Sequence, residues 1–121
     1  MMDVTFDSDK RLLKVEASGE ISHEDYDKHM VPAVVAATKT QGRINLIYLF
    51  GAGFTGIAPR AMWDDARLGL HHLHDFRRIA VVTDNGLMQG AVRAFSVMMP
   101  AEVRVFDISD ADEAESWATA A

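Results

Sequence analysis

The sequence contains no cysteine, which excludes disulfide scaffolds, thiolate zinc sites and cysteine nucleophiles. It has no apolar run close to the roughly eighteen residues that a transmembrane helix needs. Its start also lacks a basic segment followed by an apolar one, which is the pattern of a signal peptide. We therefore expect a cytoplasmic protein without a transmembrane segment.

Positive charge is scarce as well. Twelve Lys and Arg residues stand against 18 Asp and Glu residues, which gives a net charge of −6. Most of the excess lies after residue 101, where Arg104 is the single base among the acids Glu102, Asp107, Asp110, Asp112, Glu113 and Glu115. Nucleic-acid binding depends on neutralising phosphates, so an acidic chain without a Lys/Arg tract is not expected to bind nucleic acid.

Apolar periodicity predicts five strands in a chain whose 121 residues fit one domain, residues 1–121. Apolar residues alternate in Val4–Phe6 and again in Leu13–Ala17, which predicts an N-terminal β-hairpin. Ile44–Phe50 and Ile79–Val82 are almost continuously apolar, as is typical of central strands covered on both faces. The alternation in Val103–Phe106 predicts a strand toward an edge.

Helical patterns separate these strands. The first begins at Ser22, where Asp25 completes a weak capping box, and Pro32 predicts a kink or a new start near Met30. The third spans 87–98 and is stopped by Pro100. The last begins at Asp110, which forms a second capping-box pair with Glu113. This helix is expected to bury Ala114 and Trp117.

The second helical pattern begins at Pro59 and is expected to end near His74. Its apolar stripe consists of Met62, Ala66, Leu70 and Leu73, with Trp63 beside it. Such a stripe is typical of core filling, but methionines and a partly exposed tryptophan also suit a binding surface. The sequence leaves both interpretations open. With the other segments it predicts an α/β fold: a single mixed, mostly parallel five-stranded sheet with an N-terminal β-hairpin and about four helices.

A glycine-rich motif follows the third predicted strand. The segment 51–56 reads Gly-Ala-Gly-Phe-Thr-Gly, a literal G-x-G-x-x-G. In a dinucleotide fold the helix begins among the glycines, and Pro59 would then break that helix from inside. We therefore predict a flexible βα loop in place of a nucleotide site. Such a loop before a helix N-terminus still suits a small anion.

Histidines and acids near the second helix invite two further interpretations. His71 and His74 share a helix face with Asp75 nearby, but a further ligand is missing, so we predict a solvated face and no metal. Asp64 and Asp65 are adjacent and point in different directions, whereas paired-carboxylate catalysis needs two converging groups. No catalytic residue is therefore assigned.

Four segments of the chain, in order and spacing, match one family pattern: Gly19–Tyr26 with Val31–Ala33, Ala61–Asp65 with Leu68–His72, Phe76–Asp84, and Pro100–Phe106 with Trp117. On these segments the chain resembles the SpoIIAA-like proteins, small bacterial domains with a fold like those of STAS domains and lipid-binding CRAL-TRIO domains. STAS domains that switch sigma-factor partners carry an Asp-Ser phosphorylation site after the third strand. Here Thr55 is the only hydroxyl residue of that stretch and no Asp precedes it, which argues against such a switch. The CRAL-TRIO likeness implies a hydrophobic ligand.

These observations lead to the hypothesis of a non-catalytic, regulatory type of domain without a cofactor. It would bind a small apolar, amphipathic (lipid-like) or anionic ligand, or a protein partner. Two alternatives stay open: a small enzyme using Asp64 or Asp65 with His71 or His72, and a domain that only self-associates, as a homodimer through its Met-bearing helices. The expected binding residues are Gly53, Phe54, Thr55, Gly56, Met62 and Trp63.

Overall fold

The structure is a computed structural model that describes residues 1–121. Its strands are β1 (Met2–Asp7), β2 (Leu12–Ile21), β3 (Ile44–Ile57), β4 (Phe76–Val82) and β5 (Glu102–Phe106). Its helical segments are α1 (His23–Asp25), a π-helical turn (Tyr26–Met30), α2 (Val31–Gln41), α3 (Pro59–His71), α4 (Gly86–Ser96), a 3₁₀ turn (Ile108–Asp110) and α5 (Ala111–Thr119).

The five strands form one sheet in the order β1-β2-β3-β4-β5. β1 and β2 pair antiparallel, and every later neighbour pairs parallel. A helical connection separates each pair of parallel strands, as a parallel arrangement requires. The predicted fold class, the N-terminal hairpin, the central position of β3 and the edge position of β5 are all confirmed.

Helices cover both faces of the sheet, but unequally. The larger core lies under α2, α3 and α4, where Leu13, Val15 and Tyr48 are buried. The smaller core lies under α5, whose Ala114 and Ala118 are buried against Leu12, Ile47, Ala80 and Val82. β3 contributes to both cores, which explains why its first half is almost continuously apolar.

The first helical region begins at the predicted capping box. Ser22 Oγ accepts a hydrogen bond from the Asp25 backbone N–H at 3.3 Å, and Asp25 Oδ2 accepts one from the Ser22 backbone N–H at 2.8 Å. The interruption expected near Met30 takes the form of the π-helical turn, after which α2 begins at Val31. Pro32 then lies in the first turn of α2, directly after the π-helical turn.

Ser22→Ala is expected to lower the free energy of unfolding by about 0.5–2 kcal/mol, because it removes one half of this capping box. Urea denaturation of the variant measures the loss. Ser116→Ala is the matched control, since Ser116 is exposed inside α5. A loss no larger than that of the control would show that the capping box contributes nothing.

Two helix ends and one helix cap differ from those expected. α3 ends at His71, and the next residues form a turn in which the Asp75 backbone N–H donates to the His72 carbonyl at 3.0 Å. α4 ends at Ser96, two residues before the predicted end. The Asp110 side chain makes no capping hydrogen bond, because a 3₁₀ turn leads directly into α5.

Trp117 is half-buried, not fully buried. It packs on Phe106, with 5.8 Å between ring centroids, and under the guanidinium of Arg78 at 5.2 Å. Arg78 Nη1 also donates to the Trp117 carbonyl at 2.7 Å, so this arginine both covers the ring and caps the end of α5.

Candidate functional site

The glycine-rich segment is strand, not loop. β3 continues to Ile57 and pairs with β2 as far as Ile21. Ala17 and Ile21 of β2 are four residues apart. Their partners in β3, Phe50 and Ile57, are seven residues apart. The glycines therefore supply three extra residues that bulge out of the pairing. Gly19 opposite this bulge has φ +59°, a value that favours glycine.

The prediction of a flexible βα loop is therefore wrong. Strand alternation is hidden in the sequence because the bulge breaks the two-residue period. β4 pairs with β3 only as far as Leu49, so residues 50–57 have β2 as their single neighbouring strand. Gly53 and Thr55 are exposed there, and Gly56 is half-buried. Phe54 is half-buried and packs edge-on against Phe50, with 4.8 Å between ring centroids.

α3 turns its most apolar stripe to solvent. Met62 is 59% exposed, Trp63 73% and Leu70 69%. The residues that α3 buries are Ala61 and Leu68. The core-filling interpretation of the stripe is therefore wrong for Met62 and Leu70. The binding-surface interpretation requires exposed side chains, and these side chains are exposed.

Acidic side chains hold the inner side of α3 to the first helical region. Asp64 Oδ2 lies 2.5 Å from His23 Nδ1, and the Asp64 side chain is only 11% exposed. Asp65 Oδ1 accepts a hydrogen bond from the Tyr26 hydroxyl at 2.8 Å. Two adjacent carboxylates thus point to two different partners, as adjacent helical positions predict, and together they fix the orientation of α3.

The Asp65 contact continues into the core as a chain of hydroxyls. Tyr26 Oη and Tyr48 Oη are 2.9 Å apart, and both tyrosines are buried. Tyr26 has one hydroxyl hydrogen, which it donates to Asp65, so Tyr48 donates to Tyr26. Each buried hydroxyl is therefore satisfied, and no buried side-chain polar atom of the protein lacks a partner.

Burial determines the protonation of Tyr26, Tyr48 and Asp65. Desolvation, supported by the nearby Asp65 charge, raises the pKa of Tyr26 far above its usual value. Desolvation also raises the pKa of Tyr48. Desolvation raises the pKa of Asp65 against the opposing effect of the Tyr26 hydrogen bond. The residue itself keeps an exposed edge on α3.

A cavity of about 260 Å³ lies between the first helical region and α3. Asp64, His71 and His72 line it, as the enzyme alternative requires, but the imidazole that contacts Asp64 belongs to His23. Asp65 is engaged by Tyr26 instead. His72 Nδ1 is 2.8 Å from Asp75 Oδ2, and no group of three His, Asp or Glu side chains is arranged to hold a metal ion.

α4 adds further exposed apolar residues. It buries no residue completely, and Met88 and Val92 pack on the larger core while Leu87 stays 87% exposed. Phe95 is half-exposed, and Met98 just beyond the helix is exposed. The methionines of these two helical regions differ in burial: Met62 and Met98 are exposed, and Met88 and Met99 are half-buried.

Sequence reasoning missed His23, Tyr26 and Tyr48. A signal for the tyrosines was present, because Tyr48 lies in a strand predicted to be covered on both faces and its hydroxyl therefore needs a buried partner. No local signal identifies that partner, which is 22 residues away at Tyr26.

The mixed sheet with helices on both faces defines a STAS-type domain. A family-model search matches residues 12–119 to the SpoIIAA-like family, and the chain belongs to that family. It is similar to the solved structure of an uncharacterized protein from Shewanella loihica PV-4, described as having a SpoIIAA-like fold, with a TM-score of 0.79 and 28% identity. That likeness covers 98% of this chain and 92% of the other. A search of curated proteins found no match.

Proposed function

We propose that this protein is a non-catalytic cytoplasmic binding domain whose α3 surface docks a protein partner carrying apolar and acidic side chains. The binding residues are Met62, Trp63 and Leu70, with Phe54, Thr55, Gly53 and Gly56 at the adjoining end of β3. The observation that carries the proposal is the 73% exposure of Trp63 on a helix whose two acidic side chains are engaged by His23 and Tyr26. No helix of the protein is long and apolar enough to span a membrane.

The shape of this surface favours a macromolecule over a small ligand. Small-molecule sites are concave, whereas Met62, Trp63 and Leu70 project from the outer side of a helix. A stable interface covers on the order of 800 Å² per partner. A buried tryptophan contributes roughly 150–250 Å² to such an area, so Trp63 with Met62 and Leu70 supplies a substantial part of what a partner needs.

Charge favours an acidic partner over a second copy. Arg60 and Arg67 lie one turn before and one turn after Trp63 on the same side of α3, and both are exposed. Neither forms an ion pair within the protein. Two copies pairing through this surface would bring like charges together, whereas acidic side chains on another protein would neutralise them.

Trp63→Ala is expected to weaken partner binding at least tenfold, about 1.4 kcal/mol or more, with little change in melting temperature because the ring is largely exposed. A photo-crosslinking residue at position 66, an exposed alanine between Met62 and Leu70, would capture the partner in cells with Trp63 intact. The purified partner would then be titrated against the protein and its variants. Trp63→Phe is the conservative control and should retain most of the affinity. Arg60→Glu should also weaken binding.

A crosslinking residue at position 116, on the opposite face of the sheet, is the positional control. A partner captured equally at 66 and 116, or a Trp63→Ala variant that binds normally, would overturn the proposal. Crosslinking of two copies of this chain would establish self-association instead. A retained small molecule in native mass spectrometry, lost in Trp63→Ala, would establish the ligand alternative.

A further inference from the structure

We propose that the cavity between the first helical region and α3 binds a free aliphatic α-amino acid. This site lies beside the exposed surface of α3, with which it shares Arg67, and it goes beyond the function proposed above. Its volume of about 260 Å³ is below the usual range of drug-sized pockets, roughly 300–1,000 Å³, and suits a small metabolite.

The charged side chains of the cavity divide into paired and unpaired groups. Asp64 is paired with His23, and His72 is paired with Asp75. Asp27, on the π-helical turn, and Arg67 and His71, on α3, form no ion pair. Besides the imidazole of His71, the cavity therefore presents one unpaired carboxylate and one unpaired guanidinium, which its two walls carry.

An occupant with a single charge would be attracted by one of these groups and repelled by the other. A zwitterion satisfies both, with its ammonium toward Asp27 and its carboxylate on Arg67, whose guanidinium matches a carboxylate in a bidentate manner. The two walls thus select an α-amino acid over a simple anion or amine.

The remaining lining explains the aliphatic preference and adds a polar contact. Val31 and Val35 of α2 face Leu68 of α3 across the cavity and supply an apolar surface for an aliphatic side chain. His23 carries its hydrogen on Nδ1, where it donates to the Asp64 carboxylate. In the neutral ring Nε2 is then left as an acceptor for a hydrogen of the ligand's ammonium group.

Isothermal titration calorimetry with L-leucine tests the proposal. Two matched probes each lack one charge: 4-methylpentanoate lacks the ammonium group, and 3-methylbutylamine lacks the carboxylate. We expect L-leucine to bind, and each matched probe to bind at least about tenfold more weakly. Asp27→Asn and Arg67→Gln should each weaken L-leucine binding by a similar factor. Both residues are exposed at the rim, so the variants should fold.

Arg93→Gln on α4 and Asp112→Asn on α5 are the matched controls and should bind L-leucine normally. Trp63→Ala should also bind normally, which separates this site from the docking surface. Absence of L-leucine binding at millimolar concentration would overturn the proposal. So would equal binding of 4-methylpentanoate, or normal binding by Asp27→Asn and Arg67→Gln.

Discussion

Raising the pH from about 10 to 12 is expected to lower the free energy of unfolding by roughly 4 kcal/mol through two tyrosines alone. Tyr26 and Tyr48 are buried, and desolvation raises the pKa of both above the value near 10 that they have in the unfolded chain. Below pH 10 both states hold the protons, so the stabilising contribution is fully present. Above pH 10 the unfolded chain loses them first, and that contribution is lost.

Urea denaturation at several pH values between 8 and 12 would measure this dependence. Other groups also titrate in this range, so the comparison with Tyr26→Phe isolates the tyrosine contribution. The variant has one such tyrosine fewer, and its loss of stability between pH 10 and 12 should be roughly 2 kcal/mol smaller than that of the parent protein. An identical pH dependence in the two proteins would show that Tyr26 ionises in the folded state as readily as in the unfolded one.

At neutral pH, Tyr26→Phe is expected to lower the free energy of unfolding by about 1.5–3 kcal/mol, the range for hydrogen bonds to charged groups. The substitution keeps the buried ring but removes the donor to Asp65 and the acceptor for the Tyr48 hydroxyl. The hydroxyl of Tyr48 is then left buried without its partner. Thermal or urea denaturation measures the loss.

Tyr48→Phe is the matched control for that variant. Its hydroxyl donates only to the neutral Tyr26, so its removal should cost about 0.5–1.5 kcal/mol. Amide hydrogen exchange gives a second readout, since Tyr26→Phe also frees α3 from one of its two acidic anchors, and protection in 59–71 should fall. Equal losses in the two variants would contradict the direction of donation assigned here.

The order of strands and helices could be predicted because each strand has a local pattern of apolar residues. Alternation in Leu13–Ala17 marks a strand with one buried face, and the continuous apolar run Ile44–Phe50 marks one buried on both. The family resemblance could be recognised from the same local segments, and the family match confirms it. The glycine segment was misinterpreted because its bulge removes the period on which strand prediction depends.

The binding residues stay a prediction, and the sequence could only propose them. Met62 and Trp63 carry the same apolar pattern whether they face a core or solvent, so their exposure depends on how α3 is rotated. That rotation is set by contacts between residues distant in sequence: His23 with Asp64, 41 residues apart, and Tyr26 with Asp65, 39 residues apart.

By itself the sequence determined the fold class, the strand and helix order and the family, because burial periodicity and turn chemistry act within a few residues. Only the tertiary structure decided which face of α3 meets solvent and which imidazole meets Asp64. It also decided that Asp27 and Arg67 share a cavity. The physical reason is that a helix with apolar residues on more than one face is oriented by hydrogen bonds and packing to distant segments, which no local pattern encodes.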